Sequence, residues 1–119
     1  MPPETQSAEP SQQDVHDAFG VLYQELTNAY WVASTIEVKD RIRGIADSVF
    51  DILTQLNQAE IQSRTADFAA LSKNVAAVNA RLDSLKEDLD QIIHVVAVAT
   101  SVSTAIDKAL TVASTFFTL

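Results

Sequence analysis

The chain of 119 residues has no cysteine, only two glycines and three prolines, and every proline lies at or before Pro10. Without cysteine there are no disulfides, no thiol nucleophile and no cysteine-ligated metal, while the compartment stays open. A β-domain of this size needs turn residues about every 8–12 positions, and hairpin dipeptides are missing throughout. Helix is the only regular structure the chain can build without tight turns. Basic residues are also scarce, 8 against 16 acidic ones, for a net charge of −8. Such a surface repels phosphate backbones and no Lys/Arg stripe offsets it, which excludes nucleic acid as a partner. It suits solubility and a basic protein partner equally well.

Catalytic signatures are missing too. The sequence holds no P-loop, dinucleotide fingerprint, nucleophile elbow or zinc-ligand spacing. The expectation is a non-catalytic protein with no cofactor, no metal and no small-molecule substrate. Met1-Pro2-Pro3-Glu4 offers neither a basic n-region nor an apolar h-region. No signal peptide is therefore read and a cytoplasmic location is expected, with secretion by a route that uses no cleaved signal left open.

What the chain does contain is aliphatic side chains. Hydrophobic residues make up 47% and aromatics 7%, with alanine and valine the most frequent, a composition suited to closely packed helices. Residues 1–12, rich in Pro, Glu, Gln and Ser, read as a disordered tail, and 13–119 as one domain. From Val15 apolar residues recur at 4-3-4-3-4 spacing: Val15, Phe19, Leu22, Leu26, Ala29 and Ala33, one face of a helix. Ser34 with Glu37 has capping-box spacing. A second stripe follows through Val38, Ile42, Ile45, Val49, Ile52, Leu56 and Ala59, flanked by Phe50 and Leu53. Glu37–Arg41 and Arg43–Asp47 are opposite charges four apart on that helix. The phase slips near 60–66, where Ser63, Thr65 and Asp67 favour a turn. The third stripe is the longest: Phe68, Leu71, Val75, Val78, Leu82, Leu85, Leu89, Ile92 and Val96. Its register continues through Ala99, Ser103, Ile106, Leu110, Ala113 and Phe117. Thr104, with Asp107 three on, resembles a fresh cap. These features predict an all-α antiparallel bundle of three long helices, about 13–33, 35–62 and 66–99, plus a short C-terminal helix at about 104–117.

Residues 91–106 depart from this pattern: the stretch is uncharged when His94 is neutral, and large residues alternate with small ones. It reads as a buried helix, as a segment that inserts into a membrane or partner, or as a strand. Together with Phe116 and Phe117 it makes 91–119 a candidate apolar head, with Val98 and Val102 among its contact residues. Long amphipathic helices bearing such a head resemble α-helical pore-forming toxin components in layout, though in no motif. That likeness implies contact with a membrane or lipid surface.

Other candidate contact residues are polar or aromatic. Asp83, Glu87, Asp88 and Asp90 form an acidic cluster, read as a solvated face or as a docking patch for a basic partner. His94 lies four residues after Asp90, but a di-iron bundle needs Glu-x-x-His on two helices. Gln13 and Gln91 occupy the positions three before the histidines, so no metal site is assigned. Trp31, beside Tyr30, is either a binding anchor or a plug for the bundle end. The functional expectation is a helical protein acting through a protein partner or self-association, as an assembly subunit, adaptor, chaperone or acidic inhibitor. The alternative is a membrane-active protein using 91–119.

Overall fold

The computed structural model describes residues 10–57 and 66–118. They form four helices: α1 (Gln12–Val32), α2 (Ile36–Leu56), α3 (Ala66–Ile92) and α4 (Val96–Phe117), with no strand among the described residues. The all-α bundle expected from the stripes is present.

Each helix neighbours the one before it in sequence, and α4 closes the ring against α1. The side-chain contacts show that neighbours run antiparallel. Gln12 at the start of α1 donates to the Leu56 carbonyl at the end of α2 (2.9 Å). Arg41 near the start of α2 pairs with Asp88 near the end of α3 (2.9 Å). Phe68 at the start of α3 stacks on Phe117 at the end of α4 (5.3 Å).

The core follows most of the stripes read from the sequence, with Val96 the exception that is strongly exposed. The five α1 stripe positions from Val15 to Ala29 and the C-cap Ala33 are buried, as are Ile42, Ile45, Val49, Ile52 and Leu56 on α2, and Leu71, Val75, Val78, Leu82, Leu85 and Leu89 on α3. Helix α1 packs most closely, against α4 and α2. Its Ala18 and Ala29, and Ala99, Ala105, Ala109 and Ala113 of α4, are all buried, and small side chains at a contact shorten the distance between helix axes. The α2–α3 seam is looser and partly polar. Arg41 also reaches Ser84 (3.3 Å), and Arg81 donates to Ser48 (3.0 Å). Gly44 makes room for this crossing, since a Cβ there would sit 3.2 Å from the Arg81 guanidinium.

Several boundaries differ from expectation. Helix α1 starts earlier, because Ser11 is its N-cap in a reciprocal capping box with Asp14. Gln12 therefore belongs to the helix and Ser11 caps it, while residues 1–9 lie outside the described set. The second cap is Thr35, which accepts from the Val38 N–H (3.1 Å), and not Ser34. Arg41 turns to Asp88 instead of Glu37, and Arg43–Asp47 is not among the ion pairs of the described residues. Helix α2 closes at Leu56. Ala59 and the turn assigned to residues 60–66 lie at or within 58–65, outside the described set, except for Ala66, the first residue of α3.

The third helix ends at Ile92, not near 99, and the fourth begins at Val96, making it 22 residues long rather than a short 104–117 segment. Residues 93–95 make the turn. Ending α3 there lets α4 fold back along α1 over its full length and bury Ala99 and Val102. Helix α4 stops at Thr118, in the left-handed conformation (φ 53°, ψ 50°), a helix end that usually takes glycine.

Candidate docking surface

Antiparallel order puts two three-residue turns, 33–35 and 93–95, at the same end of the bundle. Six large hydrophobic residues are strongly exposed among the described residues, and four of them sit at these turns: Trp31 (72%), Ile36 (74%), Val95 (44%) and Val96 (78%). Isolated exposed apolar residues are ordinary, whereas a cluster of them marks a contact surface.

Each is held out by the local structure. Trp31 is the penultimate residue of α1, and its ring stands edge-on to Tyr30 (5.3 Å, 88°). Tyr30 is fixed in turn by Lys39, whose Nζ lies 4.8 Å over its ring and donates to its carbonyl (2.7 Å). A lysine at the C-terminal carbonyls suits the helix dipole. Ile36 is the first residue of α2, projecting beyond the Thr35 cap. Val95 and Val96 open α4, with no side-chain cap beneath them.

Exposed charge on the adjoining helix turns is mainly acidic, although the Lys39 ammonium, bonded to the neutral Tyr30 carbonyl, keeps its positive charge. Glu37 and Asp40 on the first two turns of α2, and Glu87 and Asp90 on the last turns of α3, are exposed. Arg41 is paired with Asp88 and Lys39 with Tyr30. This end of the bundle therefore carries four exposed large apolar residues, with exposed carboxylates on the adjoining turns of α2 and α3.

The residues singled out from sequence are divided by this geometry. Asp83, Glu87 and Asp90, at i, i+4 and i+7, share the solvent face of α3, whereas Asp88 points to α2 and neutralises Arg41. Lys86 turns the other way, to Asp107 of α4. Trp31 does not plug the bundle end; it projects from it. His94 is exposed, with Nε2 3.2 Å from the Gln91 carbonyl, and no group of three potential ligands among the described residues is placed to hold a metal.

The apolar residues of the candidate head over 91–119 are split between the two ends of α4 and the core. Val96 is at one end of α4 and Phe116 and Phe117 are at the other, about 33 Å apart for a helix of this length. Val102 is fully buried, Val98 half-buried and Phe117 3% exposed, with both terminal rings packed on Phe68. Helix α4 is long and apolar enough to cross a membrane by length and composition, but one face of it lies in the core.

Sequence reading missed Ile36, Val95 and Val96 as surface residues. Ile36 directly after a cap was the available signal, and Val96 was misread as core because it keeps the α3 register. A groove of about 990 Å³ between α1 and α4 is lined by carboxylates (Asp14, Asp17, Glu25), hydroxyls and Lys108 together with apolar residues such as Val21 and Val112. No polar groups converge in it as a ligand pocket requires. No protein-family model, curated protein or solved structure matches this chain.

Proposed function

We propose that this protein is a non-catalytic docking module. It engages a protein partner end-on, through the apolar tip of the bundle, with Trp31 as anchor. The observation that carries the reading is that Trp31, Ile36, Val95 and Val96 are all exposed at one end, with Glu37, Asp40, Glu87 and Asp90 exposed on the adjoining helix turns. Tryptophan is enriched among the residues that dominate binding energy, and surrounding polar contacts exclude water from such anchors. The partner matching this surface has an apolar pocket bordered by Lys and Arg. Charge complementarity of that kind steers encounter and rejects other surfaces.

A membrane-active role is the second reading, favoured by the length and hydropathy of α4. Two features weigh against it. The core uses the apolar face of α4, and the exposed carboxylates on the adjoining turns oppose approach to anionic leaflets.

Photo-crosslinkers at positions 31 and 96, compared with positions 54 and 111 away from the tip, test the docking reading in cells. Both tip positions are expected to capture one common protein that the control positions do not. With that protein purified, Trp31→Ala should weaken binding about 30-fold, the equivalent of ~2 kcal/mol. An unchanged affinity would remove the tip from the interface. Flotation with zwitterionic vesicles, abolished by Trp31→Ala, would favour the membrane reading instead.

A further inference from the structure

The two turns at the tip have the same length and opposite specification. The first is written into the sequence: Ser34-Thr35 interrupts the helix and Thr35 caps α2. The second has nothing of the kind. Ile92-Ile93-His94-Val95-Val96-Ala97-Val98 contains no glycine, proline, Ser, Thr, Asp or Asn, and its N-cap is a valine with no side-chain hydrogen bond. Valine is among the poorest N-caps. The first amides of α4 lose both the cap and the helical carbonyls that would otherwise receive them.

Register across this turn is also continuous. The spacing that α3 keeps at Leu82, Leu85 and Leu89 carries on through Ile92, Val96, Ala99, Ser103, Ile106, Leu110, Ala113 and Phe117. All of these are buried or half-buried in the folded chain except Val96, the most exposed large apolar residue among those described.

We infer that the chain exchanges α4 with a second copy of itself. Residues 93–95 straighten, and α3 and α4 join into one helix over 66–117. Each α4 then packs on α1 of the other copy through the contacts it makes at home. The N–H groups of residues 96–98 gain the carbonyls of residues 92–94 as partners, and Val96 enters the seam between Ile92 and Ala99. Short hinges between packed elements are the usual route to such swapping. The inference is independent of the docking reading, since it rests on the turn and the register and not on an external partner.

The straightened helix would be about 78 Å long, against a longest dimension of 45 Å for the folded chain. The test is refolding of the full chain from denaturant at low and high protein concentration, followed by light scattering on a sizing column and solution X-ray scattering. High concentration should yield a dimer of unchanged helicity whose maximum dimension exceeds ~78 Å. Val96→Pro should remain monomeric under the same conditions. Proline is well placed as the first residue of α4 in the closed hairpin, but in a continuous helix it lacks the N–H and collides with the Ile92 carbonyl. Should Val96→Pro fail to fold, Val95→Asp, which caps the closed form, should abolish the dimer instead. A wild-type chain that stays monomeric overturns the inference, as does a compact dimer or one that persists in a folded variant of either kind.

Discussion

Val98 and Val102 are one helical turn apart on α4 and chemically identical, yet only Val102 is completely enclosed; Val98 keeps part of its surface in water. A carboxylate at 102 would be buried without a partner, which is strongly unfavourable, whereas at 98 it can turn towards solvent. Val102→Asp is therefore expected to abolish the cooperative thermal transition, while Val98→Asp melts cooperatively at a reduced temperature. Equal effects at the two sites would mean that the rotation of α4 is wrong. Gly20 is a second residue whose environment decides a sign. It lies in the middle of α1, and a Cβ there meets nothing within 4 Å. Gly20→Ala should stabilise the protein by about 0.5–1 kcal/mol in denaturant titrations, because it removes unfolded-state entropy without a clash. A loss of stability would reveal a contact at this position.

At the level of the helix, the ends distinguish what is specified from what is tolerated. Ser11 and Thr35 hold the starts of α1 and α2 with side-chain oxygens, and Val95 offers α4 nothing. Thr35→Ala should cost ~1 kcal/mol, and Val95→Asp should add a similar amount by supplying both an acceptor and a negative charge at the helix N-terminus. Destabilisation by Val95→Asp would show that the apolar side chain matters more than the missing cap. The same contrast explains which elements were legible in the sequence. The buried face of α1 could be read from its regular stripe and its end from Ser34-Thr35, although its Ser11 cap was assigned to the tail. The α3–α4 boundary could not. No residue in 92–98 signals a stop, and the seven-residue register carries straight through, so the break arises from packing: α4 buries more by returning along α1 than by extending into water. The exposed apolar residues at this end were hidden for the same reason, since Val95 and Val96 are surface residues only because the chain turns there, while Trp31 stood out by its type alone.

Taken as a whole, the four helices are not equivalent. The apolar face of α1 is widened by Ala18 beside its main stripe, and that of α4 by Ala105 and Ala109, so these two approach closely. Helix α3 buries one narrow row, Leu71 to Leu89, and meets α2 across a seam spanned by Arg41 and Arg81. The Arg41–Asp88 pair is itself about a third to two-fifths exposed, and ion pairs so placed contribute little, up to ~1 kcal/mol. Local opening is cheapest where few buried apolar contacts must be broken. Helix α3 should therefore separate from the α1–α2–α4 assembly before the molecule unfolds globally. In native-state hydrogen exchange, amides of Val15–Ala29 in α1 are expected to be the slowest, exchanging only through global unfolding. Amides of α3 should exchange at least ~10-fold faster, a gap of about 1.4 kcal/mol in opening free energy. Replacing Arg41 with methionine should change that gap by less than ~1 kcal/mol, because the bridge is partly exposed and screened by solvent. If α3 proved as protected as α1, its single row of leucines and valines would be holding it as firmly as the wider alanine-lined contacts hold α4, and the unequal packing of the bundle would carry no energetic meaning.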